Sequence, residues 1–419
     1  LRSVSLAADL PTRRIGVDYP PERVTELLEL IGCTVSGTDP LTVQPPSWRP
    51  DLTDPADLIE EIARLGGFDA IEGLLPSAPA GRGLTAAQRR RRTVARALAE
   101  AGYVEVLSYP FVAPGVHDVF GLAADDVRRS AVRLTNPLSE QEPQLRTSLL
   151  PPLLGALKRN VGRGHRDLAL YETGTVFLPR LVATAPPLTG VEHRPSDEDW
   201  AAAEAVVPRQ PWHVAAVLAG DIEPAGWWGE GRAASWADAV DAARVVLAAA
   251  GIPADRVSVS AAEYAPWHPG RCAAVAVDGT VVGYAGELHP AVLAALELPR
   301  RTAAMELDLD ALPAALQTVA GRISGFPPAI IDVALVLDAA VPAADVQTAL
   351  VAGAGELLES VRLFDVYASE QLGADRRSLA YKLTLRAPDR TLTAEEAVAV
   401  RDAAVASATA RTGAVLRGA

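Results

Sequence analysis

The chain has 419 residues, of which 49% are hydrophobic, so it can bury the cores of roughly two to four domains. A formal net charge of −13 argues against broad nonspecific nucleic-acid binding, although one face can still contact RNA. No apolar run of about 18 residues occurs, so no membrane span is expected. Cys33 and Cys272 lie far apart in sequence and offer no disulfide framework, which fits a reducing cytoplasm.

The chain begins at Leu1 and its only methionine is Met305, so we expect a processed chain or a piece of a longer polypeptide. Residues 1–14 lack the apolar region of a signal peptide. Only Lys158 and Lys382 are lysines among 39 basic residues, a bias typical of a GC-rich genome. An arginine by itself therefore says little about phosphate recognition.

Residues 1–75 are predicted to form a first unit. Apolar residues at helical spacing predict an amphipathic helix over 20–32, which Gly32 ends, and 41–43 read as a short strand. A second helix should follow, because Asp54 is a good N-cap and Pro55 fits the first helical position. Its apolar stripe consists of Leu58, Ile62 and Leu65.

Four carboxylates crowd this second helix and the loop before it: Asp51, Asp57, Glu60 and Glu61. The last three share one helix face, because they are spaced i, i+3, i+4. Crowded carboxylates repel unless a cation lies among them, and hard oxygen ligands suit Mg²⁺. The pattern alone favours a capped helix with a solvated acidic face over a metal site, and it leaves both open.

Residues 76–84 are predicted to be a linker because they are rich in Pro, Gly and Ala. Thr85 should then cap a helix that runs to about Ala101. The four arginines at 89–92 point in all directions around this helix, which indicates a solvated helix. Contact with RNA or a partner is the alternative.

Residues 102–323 alternate strand and helix signals. Strands are predicted at 104–111, 168–177 with a kink or bulge at Gly174, 273–277 and 281–288, and helices at 149–160 and 236–250. Asp278-Gly279 indicates a hairpin turn, and 179–211 read as a long exposed loop. The pattern indicates a mixed α/β domain on a largely antiparallel sheet.

This middle block contains no convincing catalytic constellation. His268 with Glu287 could form an acid–base pair and Arg146 a phosphate clamp, but a histidine before proline is more often a turn or packing residue. No Gly-rich phosphate loop, GxSxG elbow or HExxH motif occurs in the sequence. We therefore predict no catalytic residue.

Residues 324–419 show the order of a βαββαβ ferredoxin-like domain. The strands are predicted at 329–337, 360–367, 378–387 and 414–417, and the helices at 342–353 and 393–412. In the third strand Lys382 and Arg386 alternate with leucines, so both should lie on the open face of the sheet and contact RNA. Since 9 basic and 12 acidic side chains occur here, RNA affinity should be local and modest.

Residues 45–71, PPSWRPDLTDPADLIEEIARLGGFDAI, resemble the acidic module of the bacterial phenylalanyl-tRNA synthetase β subunit. That family typically reads P-S-x-R-x-D, then D-L-I-E-E-x-A-R-x-x-G-Y. The resemblance implies a winged-helix-like module in which Asp51, Asp57, Glu60 and Glu61 are Mg²⁺ ligands beside the α subunit.

The other two blocks resemble the same family. Five motifs of the middle block do so: NPLS at 136–139, LRTSLL at 145–150, YETG at 171–174, WHPGR at 267–271 and GELHP at 286–290. The resemblance implies a degenerate class II synthetase fold without catalytic residues, followed by a ferredoxin-fold anticodon-binding domain. One departure is Ile331-Asp332, where the family usually has Arg-Asp, so a contact made by that arginine is in doubt.

The sequence is thus identified as the C-terminal part of a β subunit of this family, a multidomain chain of α/β and α+β class. The boundaries expected are 1–75, 76–101, 102–323 and 324–419. The resemblance implies assembly with the α subunit into a heterotetramer of two α and two β chains, binding of tRNA-Phe, and ATP and phenylalanine at the α-subunit site. Because the family's N-terminal tRNA-binding and editing modules are not recognised, we expect neither aminoacylation nor editing by this chain alone.

Three other functions were weighed. A standalone RNA-binding protein derived from such a subunit explains the last domain but not the middle block. A standalone ATP-dependent enzyme needs an ATP site, which the motifs do not supply. A metal-activated hydrolase built on the four carboxylates lacks a nucleophile, general acid or histidine beside them.

Overall fold

The computed structural model describes residues 2–77, 80–81, 83–180, 190–192, 194–315, 323–369, 372–373 and 375–417. Parts of the predicted linker 76–84 and of the predicted loop 179–211, and residues 316–322 at the end of the predicted middle domain, lie outside these ranges. Contacts divide the chain into two compact units, Leu1–Thr93 and Val94–Ala419. Within the described ranges, no helix is long and apolar enough to cross a membrane.

The first unit packs three helices on a small antiparallel sheet with strand order β1-β3-β2. Its elements are β1 (Val4–Leu6), α1 (Leu10–Ile15), α2 (Pro21–Leu30), β2 (Thr34–Ser36), β3 (Leu41–Gln44) and α3 (Pro55–Gly66). Val24, Val43, Leu58 and Ile62 are fully buried in its core. Each such side chain stabilises the fold by about 1.5–3 kcal/mol, so burial of this apolar face positions helix α3.

The second unit begins with a seven-stranded sheet of order β11-β12-β13-β14-β8-β7-β4, in which only β4 and β7 pair in parallel. The helices are α4 (Ala86–Glu100), which continues from the first unit, α5 (Val116–Val119), α6 (Leu150–Gly162), α7 (Asp197–Val206), α8 (Trp236–Ala249) and α9 (Pro290–Leu296). The strands are β4 (Val104–Glu105), β5 (Phe111–Val112), β6 (Gln144–Leu145), β7 (Leu168–Thr175), β8 (Trp212–Ala219), β9 (Asp221–Glu223), β10 (Arg232–Ala233), β11 (Val257–Ala261), β12 (Trp267–Val277), β13 (Thr280–Leu288) and β14 (Ala303–Asp308).

Two apolar layers cover this sheet. Helix α8 packs on one layer, with Val246 and Met305 fully buried there. Helix α6 packs on the other, with Leu153 and Val217 fully buried. Strand β8 contributes six consecutive apolar residues, Val214–Ala219, because both of its faces are covered.

The last domain is a ferredoxin-like fold with strand order β16-β17-β15-β18. Its elements are β15 (Ala329–Asp338), α10 (Ala343–Ala354), β16 (Leu358–Tyr367), β17 (Arg376–Leu385), α11 (Ala394–Thr412) and β18 (Val415–Leu416). The predicted order βαββαβ is confirmed. Thr393 and Glu396 form the predicted capping box of α11.

The predicted multidomain α/β and α+β class is confirmed, and three details were wrong. Residues 104–111 are not one strand but two short segments, β4 and the start of β5. Residues 179–211 are not all loop, because α7 forms where Ser196 and Asp199 make a capping box. Elements β1, α1 and β2 of the first unit were not predicted, and neither were strands β8, β11 and β14 of the seven-stranded sheet.

Candidate functional site

The acidic helix α3 begins as the sequence predicts. The Asp54 carboxylate accepts a hydrogen bond from the Ala56 backbone N–H at 2.9 Å. The Asp57 carboxylate accepts from the backbone N–H groups of Thr53 and Asp54, both at 2.9 Å. These backbone donors hold the pKa of Asp57 below its usual value. Asp57 therefore completes a capping box.

Arg49 joins two of the other carboxylates. Its guanidinium donates to Asp51 through Nε at 3.0 Å and Nη2 at 2.7 Å, and to Glu61 Oε1 at 2.6 Å. Arg64 also donates to Glu61, whose side chain is buried. The Arg49 bond lowers the pKa of both carboxyl groups. A guanidinium thus occupies the place among these acids that a metal ion would need.

Glu60 is exposed and forms no hydrogen bond or ion pair within the described part of the chain. The structure brings Asp51 and Glu61 together through Arg49, turns Asp57 to the helix cap and leaves Glu60 outside. Among the residues that the structure describes, no three His, Cys, Asp or Glu side chains are grouped to hold a metal. As arranged here, the four carboxylates do not fit one Mg²⁺ site.

Lys382 and Arg386 have different surroundings. Lys382 is exposed between Asp332 and Arg362 on neighbouring strands, with its Nζ 5.7 Å from the centroid of the Phe364 ring. It forms no hydrogen bond or ion pair in the part of the chain described. Arg386 instead donates to Glu359 at 2.8 Å and to the Phe326 carbonyl at 2.5 Å. Lys382 is the more available of the two for a ligand.

Arg146 is not a phosphate clamp. Its guanidinium is buried, bonded to Glu172 at 2.6 Å and to the Thr175 carbonyl at 3.1 Å. Gly174 is required beside it, because a Cβ there would lie 2.5 Å from Nη2 of Arg146. Strand β7 continues without interruption through Gly174, so the predicted kink or bulge at this residue was wrong. The glycine instead allows the Arg146 guanidinium to approach the backbone closely.

A second buried polar network was missed by the sequence analysis. Glu306 accepts hydrogen bonds from the Ser148 hydroxyl at 2.5 Å and the Leu149 backbone N–H at 3.0 Å, and pairs with His213 Nδ1 at 2.8 Å. Burial alone would raise the pKa of Glu306, but His213 outweighs it and lowers the pKa. Burial alone would lower the pKa of His213, but Glu306 outweighs it and raises the pKa. This network ties β8 and β14 to the start of α6.

Comparison with known proteins identifies the family. The family model described as the phenylalanyl tRNA synthetase beta chain CLM domain matches residues 71–309, more than half of the chain. The tRNA synthetase B5 domain matches residues 4–68, and the ferredoxin-fold anticodon binding domain matches residues 324–417. The chain belongs to the phenylalanyl-tRNA synthetase β-chain family.

Relatives within this family cover the whole of this chain. It is 59% identical to a phenylalanine–tRNA ligase beta subunit of Streptomyces avermitilis, over 99% of this chain and 50% of that protein. It is 55% identical to one of Thermobifida fusca, over 97% of this chain and 49% of that protein. The chain thus spans about half the length of the curated relatives it matches.

In this β-chain domain, His268 and Glu287 do not form an acid–base pair. Glu287 pairs with Arg271 at 2.9 Å, and the His268 Nδ1 accepts from the Gly270 backbone N–H at 3.0 Å. Arg146 and Glu306 are likewise bonded to protein groups. His268 lies in strand β12, where its ring accepts the Gly270 backbone N–H. The missed Glu306 network carries no local sequence signal, because its other members lie 93 to 158 residues from Glu306.

Proposed function

We propose that this chain serves as a non-catalytic part of a phenylalanine–tRNA ligase β subunit. It would support the ATP-dependent attachment of phenylalanine to tRNA-Phe by assembling with an α subunit that holds ATP and phenylalanine, in a heterotetramer of two α and two β chains. The observation that carries the non-catalytic role is the buried Arg146–Glu172 pair, because it commits the strongest candidate phosphate ligand to the fold.

The test is phenylalanine-dependent exchange of pyrophosphate into ATP. The purified chain alone should show none, and the α subunit should be required for any exchange. Exchange by this chain in a preparation shown to be free of α subunit would overturn the proposal. The standalone RNA-binding alternative would instead show tRNA binding without any association with the α subunit in a pull-down.

We further propose that the open sheet face around Lys382 contacts tRNA. Lys382 is an unpaired cation beside the exposed Phe364 ring, and aromatic rings with nearby cations bind nucleic acid by stacking and charge. Arg386 contributes less, since Glu359 and the Phe326 carbonyl hold its guanidinium.

The chain offers a matched control for this contact. Its only other lysine, Lys158, is far from Lys382 in sequence and pairs with Glu297. Lys382→Ala should weaken tRNA binding and lower the salt slope of log K by about 0.7, whereas Lys158→Ala should change neither. If Lys382→Ala and the unmodified chain show the same salt slope of log K, Lys382 does not contact tRNA phosphate.

Mg²⁺ binding by Asp51, Asp57, Glu60 and Glu61 stays a prediction. We propose that it requires Arg49 to release Asp51 and Glu61, since both are bonded to that guanidinium. We also propose the domain boundaries 1–75, 76–101, 102–323 and 324–419, and a cytoplasmic location.

A further inference from the structure

Two His-Pro pairs, His268-Pro269 and His289-Pro290, meet at one end of the hairpin formed by strands β12 and β13. Trp267 pairs with Leu288 and Cys272 with Gly286, and the register breaks between them so that residues 268–271 form a bulge. His268 directly follows Trp267 in the chain, and His289 directly follows Leu288. Their ring centroids are 6.1 Å apart, with an angle of 26° between the ring planes.

Both rings are held in the same way. The Gly270 backbone N–H donates to Nδ1 of His268 at 3.0 Å, and the Ala291 backbone N–H donates to Nδ1 of His289 at 3.1 Å. A nitrogen that accepts a hydrogen bond carries no proton, so the proton of each neutral ring is on Nε2. Neither Nε2 has a hydrogen-bond partner in the described part of the chain. The turns therefore present two neighbouring N–H donors.

Two arginines add further donors. Arg271 Nη1 lies 2.9 Å from Glu287 Oε1, and Arg301 Nε lies 3.9 Å from Glu287 Oε2. Glu287 is buried, whereas the side chains of Arg271 and Arg301 are 43% and 64% exposed. Glu287 lies two residues before His289, and Arg271 lies in the same bulge as His268, so the two contacts to Glu287 place both arginines beside the segments that carry the histidines.

We propose that His268, His289, Arg271 and Arg301 form a binding site for an RNA phosphodiester. Two guanidinium charges and one Glu287 carboxylate leave a net charge of about +1, which matches the single negative charge of a diester. A phosphate monoester carries about −1.5 to −2 at neutral pH and matches less well. Each hydrogen bond spans about 2.8 Å, so one phosphate group can bridge donors on rings 6.1 Å apart.

A metal ion fits this site poorly. A metal at Nε2 needs the ring proton on Nδ1, usually with an acceptor facing that nitrogen. Here both Nδ1 atoms face backbone donors, which favours the opposite tautomer. The site therefore selects an acceptor, and phosphate oxygen is the acceptor that its charge favours.

The inference rests on the proposed tRNA-binding function for its partner but uses residues separate from Lys382. The central variant is His268→Asn with His289→Asn. An asparagine oxygen accepts the same backbone N–H and keeps each turn, but its side chain is too short to replace Nε2. The matched control is His165→Asn, which changes an exposed histidine outside the site.

Binding of a tRNA-Phe transcript to the full chain is measured between about 50 and 200 mM salt. The double Asn variant should bind about tenfold more weakly, because two N–H donors to the phosphate are lost. Arg301→Gln should weaken binding and lower the slope by about 0.7 to 0.9. The control should bind like the unmodified chain.

Three outcomes would overturn the inference. Unchanged tRNA affinity of the double Asn variant would show that the histidines do not bind RNA. If that variant is unfolded, the single variants His268→Asn and His289→Asn repeat the test. Competition by inorganic phosphate at concentrations comparable with tRNA phosphate would assign the site to a free anion. If the unmodified chain binds no tRNA, the proposed tRNA-binding function fails as well. If only Lys382→Ala loses tRNA affinity, the histidine site fails and the proposed tRNA-binding function remains.

Discussion

Two arginine–glutamate pairs in this protein have the same bond length and different surroundings. In the first unit Arg49 Nη2 lies 2.6 Å from Glu61, and in the middle sheet Arg146 Nη1 lies 2.6 Å from Glu172. The side chains of Arg49 and Glu61 are 25% and 6% exposed, and those of Arg146 and Glu172 are 5% and 2% exposed. Arg49 also serves Asp51, whereas Arg146 has one acidic partner.

The two arginines differ in whether another cation can replace them beside their carboxylate partners. Arg49 is partly exposed to water and is shared between two carboxylates, so we expect another cation to compete for the exposed Asp51 at modest cost. Arg146 is sealed beside Gly174 and between strands, so its loss leaves Glu172 as an uncompensated buried charge. A charged cluster that water reaches can respond to a partner, whereas a sealed pair can only hold the fold.

The largest effect should come from the sealed pair. Arg146→Ala should destabilise the second unit by about 3–5 kcal/mol, because Glu172 would remain buried without a counter-charge. The measurement is urea unfolding followed by tryptophan fluorescence. Arg133→Ala is the control, since its ion pair with Glu140 is exposed and should contribute about 0–1 kcal/mol. Equal costs for the two substitutions would erase the contrast between sealed and exposed pairs.

The His213–Glu306 pair extends the comparison to pH. The raised pKa of His213 adds stability that is complete below its unfolded value of about 6.5 and is lost as pH rises through the folded pKa. The lowered pKa of Glu306 adds stability that is present above about 4.3 and is lost as pH falls through its folded pKa. The pair therefore stabilises most between these two values.

His213→Gln should flatten the decline in unfolding free energy that begins as pH rises above about 6.5. Denaturant titrations of both proteins across this range test it. His165→Gln, at an exposed position, should leave the decline unchanged. A variant that declines as steeply as the unmodified chain would show that His213 is not the titrating group.

The exchangeable pair gives a smaller and conditional effect. Arg49→Gln should lower the melting temperature of the first unit, because Asp51 and Glu61 lose their shared donor. Mg²⁺ should then raise the melting temperature of this variant more than that of the unmodified chain. Arg23→Gln, which removes an exposed pair with Glu26, should show no such response. Equal responses to Mg²⁺ and EDTA in all three proteins would exclude exchange at this cluster.

The same contrast explains what the sequence could predict. Nearly every element of the ferredoxin-like domain was predicted, because its strands alternate and α11 opens on Thr393 and Glu396. The start of α3 was predicted for similarly local reasons. The hydrogen bond from Arg49 to Glu61 was not predicted, although only 12 residues separate them. A pattern of residue types does not show where a guanidinium group points.

Contacts over longer separations were still less accessible. The Glu306 network joins β14 to Ser148 and His213, and only the register of β14 with β8 brings them together. His268 and His289 come together because of a bulge at residues 268–271, which no local sequence pattern predicts. Resemblance to a family identified the motifs that carry Ser148, His268 and His289, but not His213 or Glu306, and packing determined the partners of all five.

The smallest expected effect separates the two interpretations of the acidic helix. If Asp57 and Glu60 are equivalent metal ligands, Asp57→Asn and Glu60→Gln should weaken Mg²⁺-dependent association with the α subunit alike and leave the isolated chain similar. The capped-helix geometry predicts otherwise, because Asp57 accepts two backbone N–H groups and Glu60 has no bonded partner among the described residues. Glu60→Gln should then change the unfolding free energy by no more than about 0.5 kcal/mol, and Asp57→Asn should lower it measurably by removing a charge from the helix N-terminus. Thermal melts of the isolated chain with EDTA isolate this difference, and indistinguishable melts would favour the ligand interpretation.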